Sequence, residues 1–347
     1  MGQIGFFDVA ERYAGLDAKG DPLAQIEALA PWESFRQRLE AVWRRPPQEC
    51  KSKAGRKPWD AIVMFKAIVL AELYNLSDEQ VEYQLRDRLS FVRFLGLGLE
   101  DGVPDAKTVW LYREQLAQAG VVEQLFDDFD QHLKGQGWLA RGGQIIDASI
   151  VPVPKQRNSR DDNARIKAGA VPESWHEQPA KRAQKDLDAR WTQKHGRNHY
   201  GYKNHVSVDR RHKLVRRYQV TPASTHDGEA LDDLLDPDNT ACSVWADSAY
   251  RSAEIEAKLS EKGLKSRIHR RGCRARPLAA RDRQVNRTRS KVRARVEHVF
   301  GAQSNDMGGT LIRCIGLVRA KARIGLKNLA YNMRRLIHLE RCAVAPS

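Results

Sequence analysis

The stretch Gly143-Gln-Ile-Ile-Asp-Ala-Ser-Ile-Val151 predicts a buried β-strand, because most of its apolar residues are β-branched and glycines precede the run. One carboxylate, Asp147, lies in the middle of this strand. Burial of a lone acid is unfavourable unless a cation or a metal ion pairs with it. The alternative interpretation is an aspartate that caps a turn at the strand end, and this stretch alone leaves both interpretations open.

Two segments further along the chain carry carboxylates in similar settings. Val244-Trp-Ala-Asp-Ser-Ala-Tyr250 places Asp247 at the end of a short apolar strand. Val296-Glu-His-Val-Phe300 places Glu297 on a long helix predicted over residues 284–301. The apolar neighbours of Glu297 predict that this helix packs on the sheet, so its carboxylate is expected near the other two.

The remaining patterns predict helices in the first third of the chain and a mixed sheet after it. Helices are expected over residues 31–43, 59–73, 89–95 and 121–133, with a capping box of Ser77 and Gln80 opening one helix and Asp105 capping another. A hairpin is expected over residues 202–220 and a last strand over 265–269, with helices at 228–235 and 252–262.

These residues carry a resemblance to a known family. In their settings, Asp147, Asp247 and Glu297 resemble the Asp-Asp-Glu triad of bacterial insertion-sequence transposases. The resemblance extends over roughly residues 55–340 through seven further segments: Gly55-Arg-Lys-Pro58, Leu76-Ser-Asp78, Phe91-Val-Arg-Phe-Leu-Gly96, Val103-Pro-Asp-Ala-Lys-Thr108, Gly201-Tyr-Lys-Asn-His-Val-Ser-Val-Asp209, Thr221-Pro-Ala-Ser-Thr-His-Asp227 and Arg293-Ala-Arg-Val-Glu-His-Val-Phe-Gly301.

The resemblance implies a two-domain α+β architecture. Residues 1–135 are expected to form an all-helical, helix-turn-helix-like domain for DNA binding and oligomerisation. Residues 136–340 are expected to form an RNase-H-like α/β catalytic domain with a mixed sheet. A charged excursion, partly mobile, is expected at residues 155–200, between its first two strands.

The three acids suit metal-dependent phosphodiester chemistry. Two hard cations roughly 3.5–4 Å apart can activate an attacking oxygen and stabilise a leaving one. Asp147, Asp247 and Glu297 are the expected ligands of two Mg²⁺ ions, for which Mn²⁺ is expected to substitute. The triad alone implies only cleavage, whereas the resemblance implies that the freed 3′ hydroxyl then attacks target DNA.

The charge distribution favours a polyanionic partner. The net charge is +15, and it is concentrated beside the acids: residues 151–220 hold 17 Lys and Arg against 7 Asp and Glu, and residues 263–300 hold 13 against 2. No apolar run is long enough for a bilayer, and the first residues, Met1-Gly-Gln-Ile-Gly5, lack the basic and apolar regions typical of a signal peptide. Five scattered cysteines fit a reducing compartment. We expect a cytoplasmic, nucleoid-associated bacterial protein without membrane contact.

The expected partner is double-stranded DNA, comprising terminal inverted repeats and target DNA, bound by a homodimer. Seven residues are expected to contact it: Arg293, Lys203, Arg295, Arg56, Lys57, Thr108 and Arg113. Arg293 precedes Glu297 by one helical turn, which suits either an ion pair or a phosphate clamp, and the resemblance favours the clamp. Relatives often carry a Lys seven residues after the Glu and a Tyr seven before it, where this chain has Ser304 and Ser290.

Four other side chains have two interpretations each. His226 and Asp227 precede a helix and suit a capping arrangement, whereas the resemblance suggests an accessory role near the metal, together with Lys203 or His205. Trp175 and Trp191 suit local packing, or stacking on unpaired bases.

Three functions are compatible with these patterns. The first is a transposase that binds terminal repeats, cuts and joins DNA. The second is a nuclease of the same fold that cuts without joining. The third is a catalytically silent DNA-binding protein.

Overall fold

The computed structural model describes residues 8–44, 57–194, 196–272 and 277–344, which form two compact units. The first unit contains the described residues up to Gln136, residues 306–308, and the chain from Gly325 onward. The second contains residues 137–305 and 309–324. The sequence placed all residues from 136 to 340 in one catalytic domain, whereas the last segment groups with the first unit in the structure.

The first unit is built from helices that bury a largely apolar core. The helix Ala61–Tyr74 is buried along nearly its whole length, and the rings of Trp32, Phe35 and Phe65 pack edge to face. The predicted capping box of Ser77 and Gln80 is present. The helices are α1 (Asp8–Ala18), α2 (Pro22–Leu29), α3 (Trp32–Trp43), α4 (Ala61–Tyr74), α5 (Asp78–Asp87), α6 (Leu89–Leu95), α7 (Ala106–Ala119) and α8 (Val122–Gly135).

The second unit is a six-stranded mixed sheet with helices. The strands are β1 (Gln144–Pro152), β2 (Arg190–Lys194), β3 (Arg197–Asp209), β4 (Val215–Pro222), β5 (Ser243–Trp245) and β6 (Lys265–Ser266). The helices are α9 (Arg160–Lys167), α10 (Pro179–Ala183), α11 (Leu231–Leu234), α12 (Ala253–Glu261), α13 (Ala280–Arg293), α14 (Glu297–Gly301) and α15 (Leu317–Val344), and the division between the two units falls within α15.

The sheet contains both antiparallel and parallel strand pairs. Strand β1 pairs antiparallel with β3 and parallel with β5, and β5 pairs parallel with β6. Strand β3 also pairs antiparallel with β2 and β4. Antiparallel strands on one side and parallel strands on the other form the mixed sheet expected of an RNase-H-like domain. The predicted fold class is therefore confirmed.

The charged excursion is more ordered than the sequence predicted. It contains α9, α10 and strand β2, which extends the sheet beside the first residues of β3. Trp175 is fully buried there, with the ammonium groups of Lys181 and Lys185 5.9 and 5.5 Å from its ring. The buried Asp186 accepts hydrogen bonds from the Tyr202 hydroxyl and the Gly316 N–H. The contact between Asp186 and Gly316 joins residues 130 positions apart in the chain, so local periodicity does not reveal it.

Across the described ranges, no helix combines the length and the apolar composition that crossing a bilayer requires.

Candidate active site

Two of the predicted acids come close together where strands β1 and β5 run side by side. In the parallel pair β1–β5, Gln144 and Ile145 lie opposite Val244 and Trp245. Asp147 lies two residues further along β1, and Asp247 lies two residues after Trp245, the last residue of β5. The charge of Asp247 raises the pKa of Asp147, so the two carboxylates are near each other. Asp247 also caps the 3₁₀ turn Ser248–Tyr250, because its Oδ1 accepts the N–H of Ala249 at 2.8 Å. For Asp147 itself the paired-acid interpretation applies, because this residue lies within β1 and is ion-paired with Arg293.

Asp147 is a buried carboxylate that accepts hydrogen bonds from two donors. It is 9% exposed, its Oδ1 accepts the N–H of Ala148 at 2.9 Å, and its Oδ2 pairs with the guanidinium of Arg293. Burial raises the pKa of Asp147 to about 6, and the charge of Asp247 adds to this, while Arg293 and Lys194 act in the opposite direction. The charged form of Asp147 therefore depends on nearby cations.

Arg293 reaches Asp147 from the last position of its helix. Helix α13 ends at Arg293, and a 3₁₀ turn, Ala294–Val296, follows and lies against β1. Val296 is fully buried, which anchors this turn. The Nε of Arg293 is buried without a hydrogen-bond partner among the described residues. The ion pair between Arg293 and Glu297, one of the two sequence interpretations, is not formed.

Glu297 lies apart from the other two acids in this structure. Its side chain is exposed, and within the described part of the chain it forms no ion pair or hydrogen bond. The sequence predicted an uninterrupted helix over residues 284–301, but the 3₁₀ turn before Glu297 changes the direction of the following side chains. The buried neighbours are Val296 and Val299, as predicted, while the carboxylate faces solvent.

The site's composition fits a hard cation in part. In the regions that the structure describes, no group of three or more His, Cys, Asp and Glu side chains is arranged to hold a metal ion. Mg²⁺, however, is commonly held by one or two carboxylates, with water and phosphate as the other ligands. Asp147 and Asp247 supply such a pair, and the burial of Asp147 leaves it in need of positive charge. The donor set therefore suits Mg²⁺ that shares its remaining ligands with a substrate.

A second polar cluster lies beside the helical turn Asp227–Ala230. The ammonium group of Lys203 donates to Oδ1 of Asp227 at 2.7 Å and to the carbonyl oxygen of Thr225 at 2.6 Å. His226 caps the turn, since its Nδ1 accepts the N–H of Gly228 at 3.2 Å, which confirms the capping interpretation for this residue. Burial lowers the pKa of His205 to about 4, so its ring is neutral at pH 7.

The residues expected to contact DNA have different surroundings. Lys57 is exposed, whereas Arg56 lies outside the described residues. Thr108 donates to the N-cap Asp105, and Arg113 is ion-paired with Asp78. Arg295 donates to the carbonyl oxygen of Arg210 at 2.9 Å. Intramolecular partners therefore engage Thr108, Arg113, Arg295 and Lys203.

The sequence patterns assign no role to several side chains of the first unit and of the candidate site. On α7 the exposed positions near the N-terminus are Lys107, Trp110 and Leu111. Lys194, at the end of β2, is close enough to Asp147 to lower its pKa. Tyr250 is fully buried three residues after Asp247.

The two tryptophans of the excursion differ in exposure. Trp175 is fully buried, which confirms the packing interpretation for this residue. Trp191 is 44% exposed, lies 5.1 Å from the ring of Tyr200, and has the ammonium group of Lys155 5.8 Å from its ring. The stacking interpretation stays a prediction for Trp191.

Comparison with known proteins identifies the family. Residues 138–333 match the family described as Transposase DDE domain, and residues 11–115 match the family described as Transposase domain (DUF772). A solved structure, the cryo-EM structure of a piggyBac transposase synaptic complex with hairpin DNA, is similar over 93% of this chain and 76% of that chain, with a TM-score of 0.48 and 13% sequence identity. The first match covers more than half of the sequence. The chain therefore belongs to the DDE transposase family.

Proposed function

We propose that this protein binds the terminal inverted repeats of a bacterial insertion sequence, cuts the DNA and joins the freed ends to target DNA. The observation that carries the proposal is that Asp147, within β1, lies near Asp247, just after the parallel strand β5, and is ion-paired with Arg293. In a chain of the DDE transposase family, the two carboxylates would bind a cation and the guanidinium of Arg293 would contact a phosphate.

Asp147 and Asp247 would hold Mg²⁺, or Mn²⁺ in its place, with Glu297 as the third carboxylate. Two such ions supply activation of the attacking oxygen and stabilisation of the leaving oxygen in phosphodiester chemistry. Glu297 is exposed and unpaired within the described residues, so no existing contact opposes a movement of its side chain toward the site. It directly follows the turn Ala294–Val296, which already lies against β1.

Arg293 would act at the scissile phosphate. Its guanidinium has five N–H donors, of which the Nε–H is buried without a partner among the described residues. A phosphate oxygen is a suitable acceptor for this group, because guanidinium and phosphate form parallel charge-assisted hydrogen bonds. Arg293 would thus stabilise Asp147 before DNA binds and contact both Asp147 and phosphate afterwards.

The basic windows around the acids would hold the DNA. The concentration of positive charge in residues 151–220 and 263–300 supports this, since phosphate contacts dominate the affinity of DNA-binding proteins. The first unit would recognise the terminal repeats, with its exposed Lys57 and the exposed face of α7 as contact surfaces. Because transposition joins two ends, we propose a homodimer on DNA.

The function is tested with the purified protein, Mg²⁺, a duplex that carries the repeats flanking the coding sequence, and a target plasmid. Sequenced products in which repeat ends are joined to the plasmid are expected. Cut ends without joined products would indicate a nuclease, and a mobility shift without cutting would indicate a DNA-binding protein. The matched control pair is Asp247→Asn, expected to abolish both reactions, and Asp232→Asn, an exposed acid paired with Lys258, expected to leave them unchanged.

A further inference from the structure

Tyr250 presents a buried polar group that the fold does not explain. Its side chain is fully buried, and its hydroxyl has no hydrogen-bond partner among the described residues. A buried hydroxyl without a partner is unfavourable relative to a phenyl ring in the same place. The core that surrounds the ring, which includes Ile146, Ala230 and Leu259, is apolar and would accept phenylalanine equally well.

The position of Tyr250 connects the two polar clusters of the second unit. Tyr250 ends the 3₁₀ turn that Asp247 caps, and this turn lies against the turn Asp227–Ala230. Asp247 is the N-cap of this turn and Tyr250 is its last residue, so a shift of the turn moves both side chains. On the other side, Asp227 offers its Oδ2, for which no partner exists among the described residues, because Lys203 uses Oδ1.

The electrostatics agree with this placement. Burial raises the pKa of Tyr250 well above its ordinary value, and the charges of Asp227, Asp147 and Asp247 raise it further. The hydroxyl therefore keeps its proton at any physiological pH and can act as a donor. Its neighbours are carboxylates, which are acceptors.

We propose that Tyr250 is a positioning residue that links the Lys203–Asp227 ion pair to the Asp147–Asp247 pair. Its hydroxyl donates a hydrogen bond to Oδ2 of Asp227 when the site holds a cation, and this bond fixes the turn that carries Asp247. The carboxylate of Asp247 then stays beside that of Asp147. The inference rests on the proposed function, because it assigns Tyr250 to the same cation site.

The test compares two Tyr→Phe substitutions that remove one oxygen each. Tyr250→Phe is expected to leave the melting temperature in EDTA unchanged or higher. Addition of Mn²⁺ is expected to raise the melting temperature, and the Mn²⁺ concentration that produces half of this rise is the Mn²⁺ midpoint. Tyr250→Phe is expected to increase this midpoint by about tenfold or more, as is typical for residues that orient metal ligands. Tyr202→Phe removes a hydrogen bond to Asp186 and is expected to show the opposite pattern, a lower melting temperature with the wild-type Mn²⁺ midpoint.

A double-substitution cycle identifies the partner. Asp227→Asn is expected to weaken Mn²⁺ binding as Tyr250→Phe does, and the double variant is expected to be no weaker than either single variant, because one contact is removed in all three. A wild-type Mn²⁺ midpoint and cleavage rate for Tyr250→Phe would overturn the inference, and so would additive effects in the cycle. If the wild-type protein neither responds to Mn²⁺ nor cuts DNA, the proposed function fails and takes the inference with it.

Discussion

The guanidinium of Arg293 is ion-paired with the carboxylate of Asp147, although 146 residues separate them in the chain. Arg293 thereby supplies the positive charge that a buried acid requires. Arg293 is not paired with Glu297, which lies four residues further along the chain, after the turn Ala294–Val296, and is exposed. A cation that binds at Asp147 has to share this carboxylate with Arg293.

Replacement of Arg293 by glutamine should shift the pH dependence of cleavage. Arg293 lowers the pKa of Asp147, which burial holds at about 6, so its removal raises that pKa further. Because a protonated carboxylate is a poor cation ligand, the acidic limb of the pH–rate profile should move to higher pH. Arg287→Gln, at an exposed position of α13, is the control. An unchanged acidic limb in Arg293→Gln would contradict the assignment.

The ionisation of Asp147 should also be visible in the stability of the protein. Its folded-state pKa of about 6 lies above the ordinary value of 3.8, so the folded state binds this proton more tightly than the unfolded state. The free energy of unfolding therefore falls as the pH rises from 3.8 to about 6, by roughly 3 kcal/mol for a pKa difference of about two units.

Asp147→Asn removes this ionisation while keeping the shape of the side chain. Without metal, the variant is expected to be more stable than the wild type at pH 7.5, by up to about 3 kcal/mol, and nearly equal to it at pH 4. Urea denaturation in EDTA at the two pH values measures the difference. A variant that is less stable at pH 7.5 would show that the pair with Arg293 outweighs the burial of the acid.

The sequence predicts the part of the site that depends on local patterns. The apolar runs around Asp147 and Asp247 identify β1 and β5, and the capping residues Ser77 and Asp105 locate the starts of α5 and α7 correctly. These features depend on residues within a few positions of one another, which is the range over which periodicity and capping act.

The partners of the charged residues are set by distant parts of the chain. Arg293 pairs with Asp147 from the last position of α13, whereas the sequence predicted a continuous helix through Glu297. The charged excursion, residues 155–200, also depends on tertiary contacts. Trp175 is buried there, and Asp186 is hydrogen-bonded to Tyr202 and Gly316. Helix and ion-pair propensities are weak compared with such packing, so they do not identify these contacts.

Arg113 should contribute to the stability of the first unit. Its side chain is 16% exposed, and both of its terminal nitrogens donate to Asp78, so Arg113→Gln leaves a mostly buried carboxylate without its counterion. A loss of about 1–3 kcal/mol of unfolding free energy is expected. Lys107→Gln, on the exposed face of α7, should preserve stability and weaken DNA binding. Denaturation and mobility-shift measurements on both variants distinguish these roles, and a reversed pattern would assign DNA contact to Arg113.

The third acid of the site can be identified by a similar comparison. Glu261 and Glu297 are both exposed, and neither forms an ion pair or hydrogen bond within the described chain. They differ in position: Glu261 ends α12, whereas Glu297 follows the turn that lies against β1. A substitution at either residue therefore breaks no contact, and only a role in the loaded site separates the two.

Glu297→Gln is expected to abolish Mg²⁺-dependent cleavage with no change in melting temperature, because glutamine keeps the shape of the side chain but lacks the negative charge that a hard cation requires. Glu261→Gln is expected to keep both the wild-type melting temperature and the wild-type cleavage rate. Thermal denaturation in EDTA and a cleavage assay at equal protein concentration measure the two properties. Mg²⁺ should raise the melting temperature of the Glu261 variant more than that of the Glu297 variant. If Glu297→Gln still cuts at the wild-type rate, Asp147 and Asp247 act without this glutamate, and the third ligand has to come from water or from the DNA itself.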